Sequence, residues 1–227
     1  MTLCVIPARG GSKRIPRKNI KPFHGRPMIA HSIAAARASG LFNQIVVSTD
    51  DPEIAETARA EGAEAPFTRP AHLSDDHTPT APVIAHAAQM LGIGADVPVC
   101  CLYATAPFVS AEDLTEGLRL LTKGARFAMS VTRFDFPIQR ALRRDADGAV
   151  EMFDPSQMLT RSQDLEPAWH DAGQFYWGRA GDWAADQGVF GPGAFGVELP
   201  SYRVVDIDTP EDWTRAEALF AALGAGA

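Results

Sequence analysis

Leu3-Cys4-Val5-Ile6-Pro7 is a compact apolar run that passes without a break into Ala8-Arg9-Gly10-Gly11-Ser12-Lys13-Arg14-Ile15-Pro16-Arg17-Lys18-Asn19. A short apolar strand followed at once by a glycine-bearing loop opens an α/β sheet. Ligands of such sheets gather beyond the carboxyl ends of the strands. Six cations fall within residues 9–21 (Arg9, Lys13, Arg14, Arg17, Lys18 and Lys21), with no acid among them. The formal net charge of the 227-residue chain is −7, so the rest of the chain carries −13. A concentrated positive loop on an acidic protein is a focused anion site. Gly10 and Gly11 let the backbone approach an anion and aim N–H groups at it. Ser12 adds a hydroxyl donor, and Lys13 and Lys18 add point charges. No Walker pattern is present. A nucleic-acid surface is disfavoured, because the chain is acidic overall and no aromatic residue interleaves the cations.

Outward from this segment, strand and helix signals alternate. A helical pattern opened by Pro27 carries Ile29, Ile33 and Ala36 and ends at Gly40. Gln44–Ser48 reads as a strand. Asp51-Pro52 supplies an N-cap and a proline at the first helical position; that helix carries Ile54 and Ala58 inward and stops near Gly62. A helix follows from Ala81 to Leu91, then a strand from Val97 to Leu102. Ser110 with Asp113 forms a capping box before Leu114, Leu118 and Leu121, and Phe127–Thr132 is a further strand. Continuous apolar strands between helices predict a mainly parallel, Rossmann-like sheet covered on both faces.

The alternation lapses between Arg133 and Gln174, which reads as an insertion or arm (133–174) within a single domain spanning 1–227. It resumes with strands at Phe175–Gly178 and Tyr202–Val205 and a helix opened by Pro210. Residues 224–227 read as a frayed tail. Gly191-Pro192-Gly193-Ala194-Phe195-Gly196 fits G-x-G-x-x-G, but it contains proline and follows no opening βαβ unit, so a surface turn is expected.

Hydrophobic residues make up 46% and charged residues 22% of the chain, which excludes disordered, collagenous and coiled-coil classes. Three cysteines are too few for a disulfide scaffold and show no zinc spacing; buried thiols in a reducing compartment, the cytoplasm, are expected. The N-terminal segment lacks the pattern of a signal peptide, and Val97–Val109 is too short to span a bilayer, so no membrane partner is expected.

A second chemical segment is Asp206-Ile207-Asp208-Thr209-Pro210. Two carboxylates two residues apart on an extended chain face one side and offer hard oxygens to Mg²⁺. Alternatively, Asp208 or Thr209 caps the helix opened by Pro210.

Together these segments carry a resemblance. Arg9 to Asn19, Ser48-Thr49-Asp50-Asp51, Arg69-Pro70-Ala71-x-Leu73-x-Asp75 and Asp206-Ile207-Asp208-Thr209-Pro210 resemble, in order, the motifs of the CMP-sialic acid synthetase family of cytidylyltransferases. The resemblance implies a three-layer nucleotidyltransferase fold with a mid-chain dimerisation insertion, and hence a homodimer. It implies that Ala8, Arg9, Gly10, Gly11, Ser12, Lys13, Lys18 and Asn19 hold the CTP phosphates or the reacting centre. Arg69 and Asp75 would then flank the cytidine, and Asp206 and Asp208 would hold Mg²⁺. Arg9, Lys18, Asp206 and Asp208 would be catalytic. Arg69 as a surface ion pair and Asp75 as a helix cap remain alternatives.

Family members acting on sialic acid resemble Leu-Gln-Pro-Thr-Ser-Pro where this chain has Leu102-Tyr103-Ala104-Thr105-Ala106-Pro107-Phe108. Exchanging an amide for Tyr103 penalises a polyhydroxylated tail, whose hydroxyls would lack partners. Phe136–Ala141 and His170–Trp177 are also similar to the pseudaminic acid subgroup. The resemblance thus implies a nine-carbon keto-deoxy sugar acid as partner of CTP, activated for surface glycan or flagellin glycosylation. Tyr103, Thr105, Phe108, His170, Asp171 and Gln174 are the candidate sugar contacts. Sialic, legionaminic and shorter keto-deoxy acids remain alternatives, as do a non-catalytic nucleotide-binding module and, for Tyr103 and Phe108, a place in the core.

Overall fold

A computed structural model describes residues 1–185 and 188–224; residues 225–227 of the expected tail lie outside the described residues. Among the described residues ten strands form: β1 (Leu3–Pro7), β2 (Pro22–Phe23), β3 (Arg26–Pro27), β4 (Gln44–Ser48), β5 (Pro98–Leu102), β6 (Phe127–Arg133), β7 (Leu142–Arg144), β8 (Val150–Met152), β9 (Trp169–Arg179) and β10 (Ala194–Glu198). The helices are α1 (Met28–Ser39), α2 (Pro52–Ala60), α3 (Thr80–Met90), α4 (Ala111–Thr122), α5 (Ala180–Ala184) and α6 (Pro210–Leu223).

Six strands make one sheet in the order β10-β6-β9-β5-β1-β4. β1 runs parallel to both β4 and β5, and β10 runs parallel to β6, while β9 is antiparallel to both its neighbours. The chain leaves β1 for β4 on one side and returns to β5 on the other. A crevice therefore opens beyond the carboxyl end of β1, where the basic loop lies.

The strands are apolar on both sides because helices cover both faces, giving three layers. Cys4, Cys100 and Trp177 face the layer containing Ile33 of α1, Ile54 of α2 and Leu114 of α4. Val5, Cys101 and Tyr176 face Ile84 of α3 and Trp183 of α5. Adjacent Cys100 and Cys101 thus enter opposite cores as buried free thiols, as the pleat requires. Asp51 caps α2 and the Ser110–Asp113 box caps α4. Among the described residues no helix is long and apolar enough to cross a membrane.

Three expectations need correction. β9 begins at Trp169, so the irregular stretch ends near residue 168 instead of 174. Tyr202–Val205 is not a strand; Ser201–Arg203 is a short 3-10 turn. The sheet's last strand is Ala194–Glu198, which takes up the second half of the 191–196 segment expected to be a surface turn. Gly196 packs flat on Val131, where a Cβ would lie 2.6 Å from a valine methyl.

Gly117 of α4 is another close approach: a Cβ there would meet Trp177 at 2.4 Å. Gly117→Ala gains about 1 kcal/mol of helix propensity but overpacks a rigid buried indole at a cost of about 1–3 kcal/mol. A net fall in Tm by calorimetry is the expected outcome.

Candidate active site

The third core cluster assembles the site. Val205 and Ile207 are buried with Ile15, Phe23, Trp213 and Phe220, which clamps the segment before α6 onto the basic loop after β1. Alternation along this segment turns Val205 and Ile207 inward and leaves Asp206 and Asp208 outside the core. Thr209, boxed with Asp212, caps α6, so neither aspartate is consumed as the cap. Lys18 Nζ donates to the Ile207 carbonyl at 2.7 Å and reaches Asp208 Oδ1 at 3.2 Å, and Arg14 reaches Asp208 Oδ2 at 2.8 Å. The cationic loop and the aspartate pair, some 190 residues apart in sequence, share one cleft.

That cleft holds a cavity of about 560 Å³, lined by Arg9, Lys13, Arg14, Lys18, Asn19 and Asp208 among others. A second cavity of about 820 Å³ adjoins it, and Tyr103 and Thr105 line both. Asp206, His170, Asp171 and Tyr176 face the second cavity. The aspartate pair therefore stands at the divide, Asp208 toward the cationic side and Asp206 toward the other. Partial loss of solvent, and then the Asp208 charge, raise the Asp206 carboxyl above the ordinary range. Two hard-oxygen donors whose charges oppose each other suit a divalent cation, and Mg²⁺ typically takes one or two carboxylates plus phosphate oxygens and water. The residues present fit the ion.

The six loop cations divide their work. Arg9 and Lys13 both reach Asp76, and Arg14 and Lys18 reach Asp208. Arg17, at φ +56°, instead pairs with Asp51 and Glu53, and Lys21 lies 4.2 Å from the Trp213 ring centre. Asn19 holds the loop through Nδ2 to the Arg9 carbonyl at 3.0 Å.

The backbone amides and the Ser12 hydroxyl play less part than expected. The Ala8 amide is spent on the Ser48 carbonyl (3.0 Å), the Gly10 amide on Asp50 Oδ1 (3.0 Å) and the Ser12 hydroxyl on the Ile15 carbonyl (2.7 Å). Gly10 is required for closeness, since a Cβ would sit 2.6 Å from Asp51 Oδ2; around Gly11 the space is open.

Other expected residues fall elsewhere. Asp75 is exposed and makes a turn, accepting from the His77 and Thr78 amides at 2.8 and 2.7 Å. Its neighbour Asp76 faces the cavity instead. Arg69 is 4% exposed, and its Nε and one terminal nitrogen find no hydrogen-bond partner among the described residues; Asp50 lies 3.7 Å away. A surface ion pair is thereby excluded, and burial lowers its pKa. Phe108 is a core side chain against Phe220, not a cavity wall. Gln174 is buried and ties the Arg203 carbonyl at 2.6 Å, bracing the segment that leads to Asp206. His170 does line the second cavity, against Phe134.

Asp171, expected beside His170, does line the second cavity; Asp50, Asp76 and Tyr176 are not among the expected site residues. One signal was legible: Asp75 three residues before Thr78 is an Asx-turn pattern, which leaves the adjacent acid free.

The sequence matches the cytidylyltransferase family model over residues 3–180. The chain belongs to the cytidylyltransferase family. It is 43% identical over 221 residues to a pseudaminic acid cytidylyltransferase of Campylobacter jejuni, covering 96% of this chain and 95% of that protein. It is 30% identical over 222 residues to a CMP-N,N'-diacetyllegionaminic acid synthase of Legionella pneumophila, covering 96% and 95%. The fold matches a solved CMP:2-keto-3-deoxy-manno-octonic acid synthetase complexed with CTP at a TM-score of 0.72, with 20% identity, over 98% of this chain and 100% of that one. Within this cytidylyltransferase, the joined cavities separate a cationic compartment from one walled by aromatic rings.

Proposed function

We propose that the chain transfers CMP from CTP to pseudaminic acid, giving CMP-pseudaminic acid and pyrophosphate. The observation that carries this reading is the pair of joined cavities meeting at Tyr103 and Thr105; the 43% identity to the Campylobacter jejuni enzyme supports the choice of sugar. The cationic cavity takes the triphosphate, with Arg9, Lys13 and Lys18 set against its charge. The second cavity takes the sugar acid. Its anomeric hydroxyl attacks the α-phosphorus and gives up its proton to solvent as the bond from that phosphorus to the α–β bridging oxygen breaks, and pyrophosphate leaves on the cationic side. Catalysis is mostly positioning and charge neutralisation. Asp206 and Asp208 would hold Mg²⁺, which when bound supplies positive charge to the phosphate oxygens. Arg69, buried with unpaired donors, is suited to a polar group of the nucleotide.

Consumption of CTP supports a cytoplasmic location. The stretch after β6 carries exposed Phe136, Leu142, Val150, Phe153 and Leu159. We assign this arm to a homodimer contact, since several large apolar side chains exposed along one arm suit an interaction surface.

The test is pyrophosphate release with CTP, Mg²⁺ and, in parallel, pseudaminic, legionaminic, sialic and 2-keto-3-deoxy-octonic acids. Fastest turnover of pseudaminic acid supports the reading; fastest turnover of sialic acid refutes the Tyr103 argument.

Asp76 gives a second prediction. Lys13 and Arg9 hold its carboxyl down at about 2, so it occupies the charges a triphosphate needs. Asp76→Ala frees both cations, and the KM for CTP should fall several-fold with little change in kcat. A rise in KM would assign Asp76 to binding instead.

A further inference from the structure

The wall of the second cavity is built by a distortion of β9. Met129 of β6 pairs with Tyr176, yet two residues on, Val131 pairs with Asp171. Five residues of β9 therefore span two of β6, and Gly173 takes φ +61°. The buried Ser130 hydroxyl accepts from the amides of Gln174 (3.1 Å) and Phe175 (3.2 Å), which the bulge removes from the ladder. In an unbroken strand, residues five apart face opposite sides. Here Asp171 and Tyr176 line the same cavity. Bulges commonly re-aim side chains beside active sites.

The Asp171 carboxylate closes the bulge at both ends. Oδ1 accepts the Gly173 amide at 2.9 Å, and Oδ2 accepts the Tyr176 hydroxyl. The Tyr176 ring packs against Tyr103 with centroids 5.5 Å apart, and Thr80 Oγ1 holds the Tyr103 hydroxyl at 3.0 Å from the other side. Tyr103 is the ring both cavities share. Burial, above all, pushes its phenol up to about 12, so it stays neutral at working pH.

We propose that Asp171 and Tyr176 are positioning residues that fix Tyr103 through the β9 bulge and so set which sugar acid the second cavity accepts. The proposal rests on the reading that this cavity takes the sugar. A preorganised wall contributes to affinity by lowering the ordering cost of binding. Tyr176→Phe deletes one oxygen and keeps the buried ring; the Asp171 carboxylate, exposed to water, rehydrates.

The test compares wild type, Tyr176→Phe, Asp171→Asn and the double variant with each of the four sugar acids, using as reporter whichever acid the wild type turns over fastest. Loss of one charge-assisted hydrogen bond should raise the KM for the sugar roughly tenfold. The KM for CTP should stay at the wild-type value, the Tm should fall by no more than about 2–4 °C per kcal/mol of the lost hydrogen bond, and discrimination among the four acids should narrow. The double variant should be no worse than either single one, since the pair acts as a unit. An unchanged sugar KM overturns the proposal, as does a parallel rise in the KM values for sugar and CTP. A wild type that prefers an acid other than pseudaminic refutes the functional reading and leaves the comparison of variants intact. Turnover of none of the acids refutes both.

Discussion

Asp206→Asn should lower kcat by about two to three orders of magnitude, the scale expected when a group stabilising transition-state charge is removed, while Tm stays unchanged. Asp208 already answers to Lys18 and Arg14, but Asp206 has no cation within ion-pair distance among the described residues. Its side chain looks into the sugar-side cavity at the junction of the two compartments. The backbone that carries it is pinned by Val205 and Ile207, both buried, so asparagine would occupy the same place. Substitution also removes a charge from beside Asp208, which relieves repulsion and leaves no structural cost. Pyrophosphate release and a thermal melt on the same preparation check this. Activity within tenfold of wild type would remove Asp206 from the reaction.

Lys18→Met should produce a different signature. The Lys18 ammonium is both a charge at the floor of the phosphate cavity and the tether between the loop after β1 and the segment before α6. Losing the charge should cost roughly 100-fold in kcat/KM for CTP. Losing the tether strands the Ile207 carbonyl, at about 1–3 kcal/mol, which corresponds to a Tm fall of about 2–4 °C per kcal/mol for a chain of this size. Lys18→Arg keeps the charge but replaces a compact ammonium with a planar fork, so it should recover stability better than rate. Equal rates for Lys18→Met and wild type would contradict the assignment.

The sheet was legible wherever an apolar run met a capped helix. β4 appears with the bounds its three consecutive β-branched residues suggest, and the Ser110–Asp113 box forms as expected. β10 was not legible because it is an edge strand with a single buried residue, Val197, behind two turn glycines. Val204 and Val205 look like strand residues, yet only Val205 is fully buried, in the α6 cluster, because Pro200 and the 3-10 turn redirect the chain. At the site, charge types were readable and partners were not. Residues 9–21 announced an anion cleft, but nothing local says that Arg17 would be taken by Asp51, or that Asp76 and not Asp75 would face the cations. Phe108 and Gln174 show the same limit: a residue type suited to a sugar is equally suited to a core or a brace, and only packing decides. The β9 bulge depends on Ser130, 44 residues from Gln174, and no periodicity encodes that pairing.

The most direct test of the account is a crystal structure of the enzyme with CTP. The triphosphate should lie between Arg9, Lys13 and Lys18 on one side and Asp208 on the other, with the α-phosphorus nearest the Tyr103 and Thr105 divide and Asp76 displaced from the two cations. A triphosphate seated elsewhere, for instance over the glycine-containing 191–196 segment, with the cleft beyond β1 empty, would contradict it.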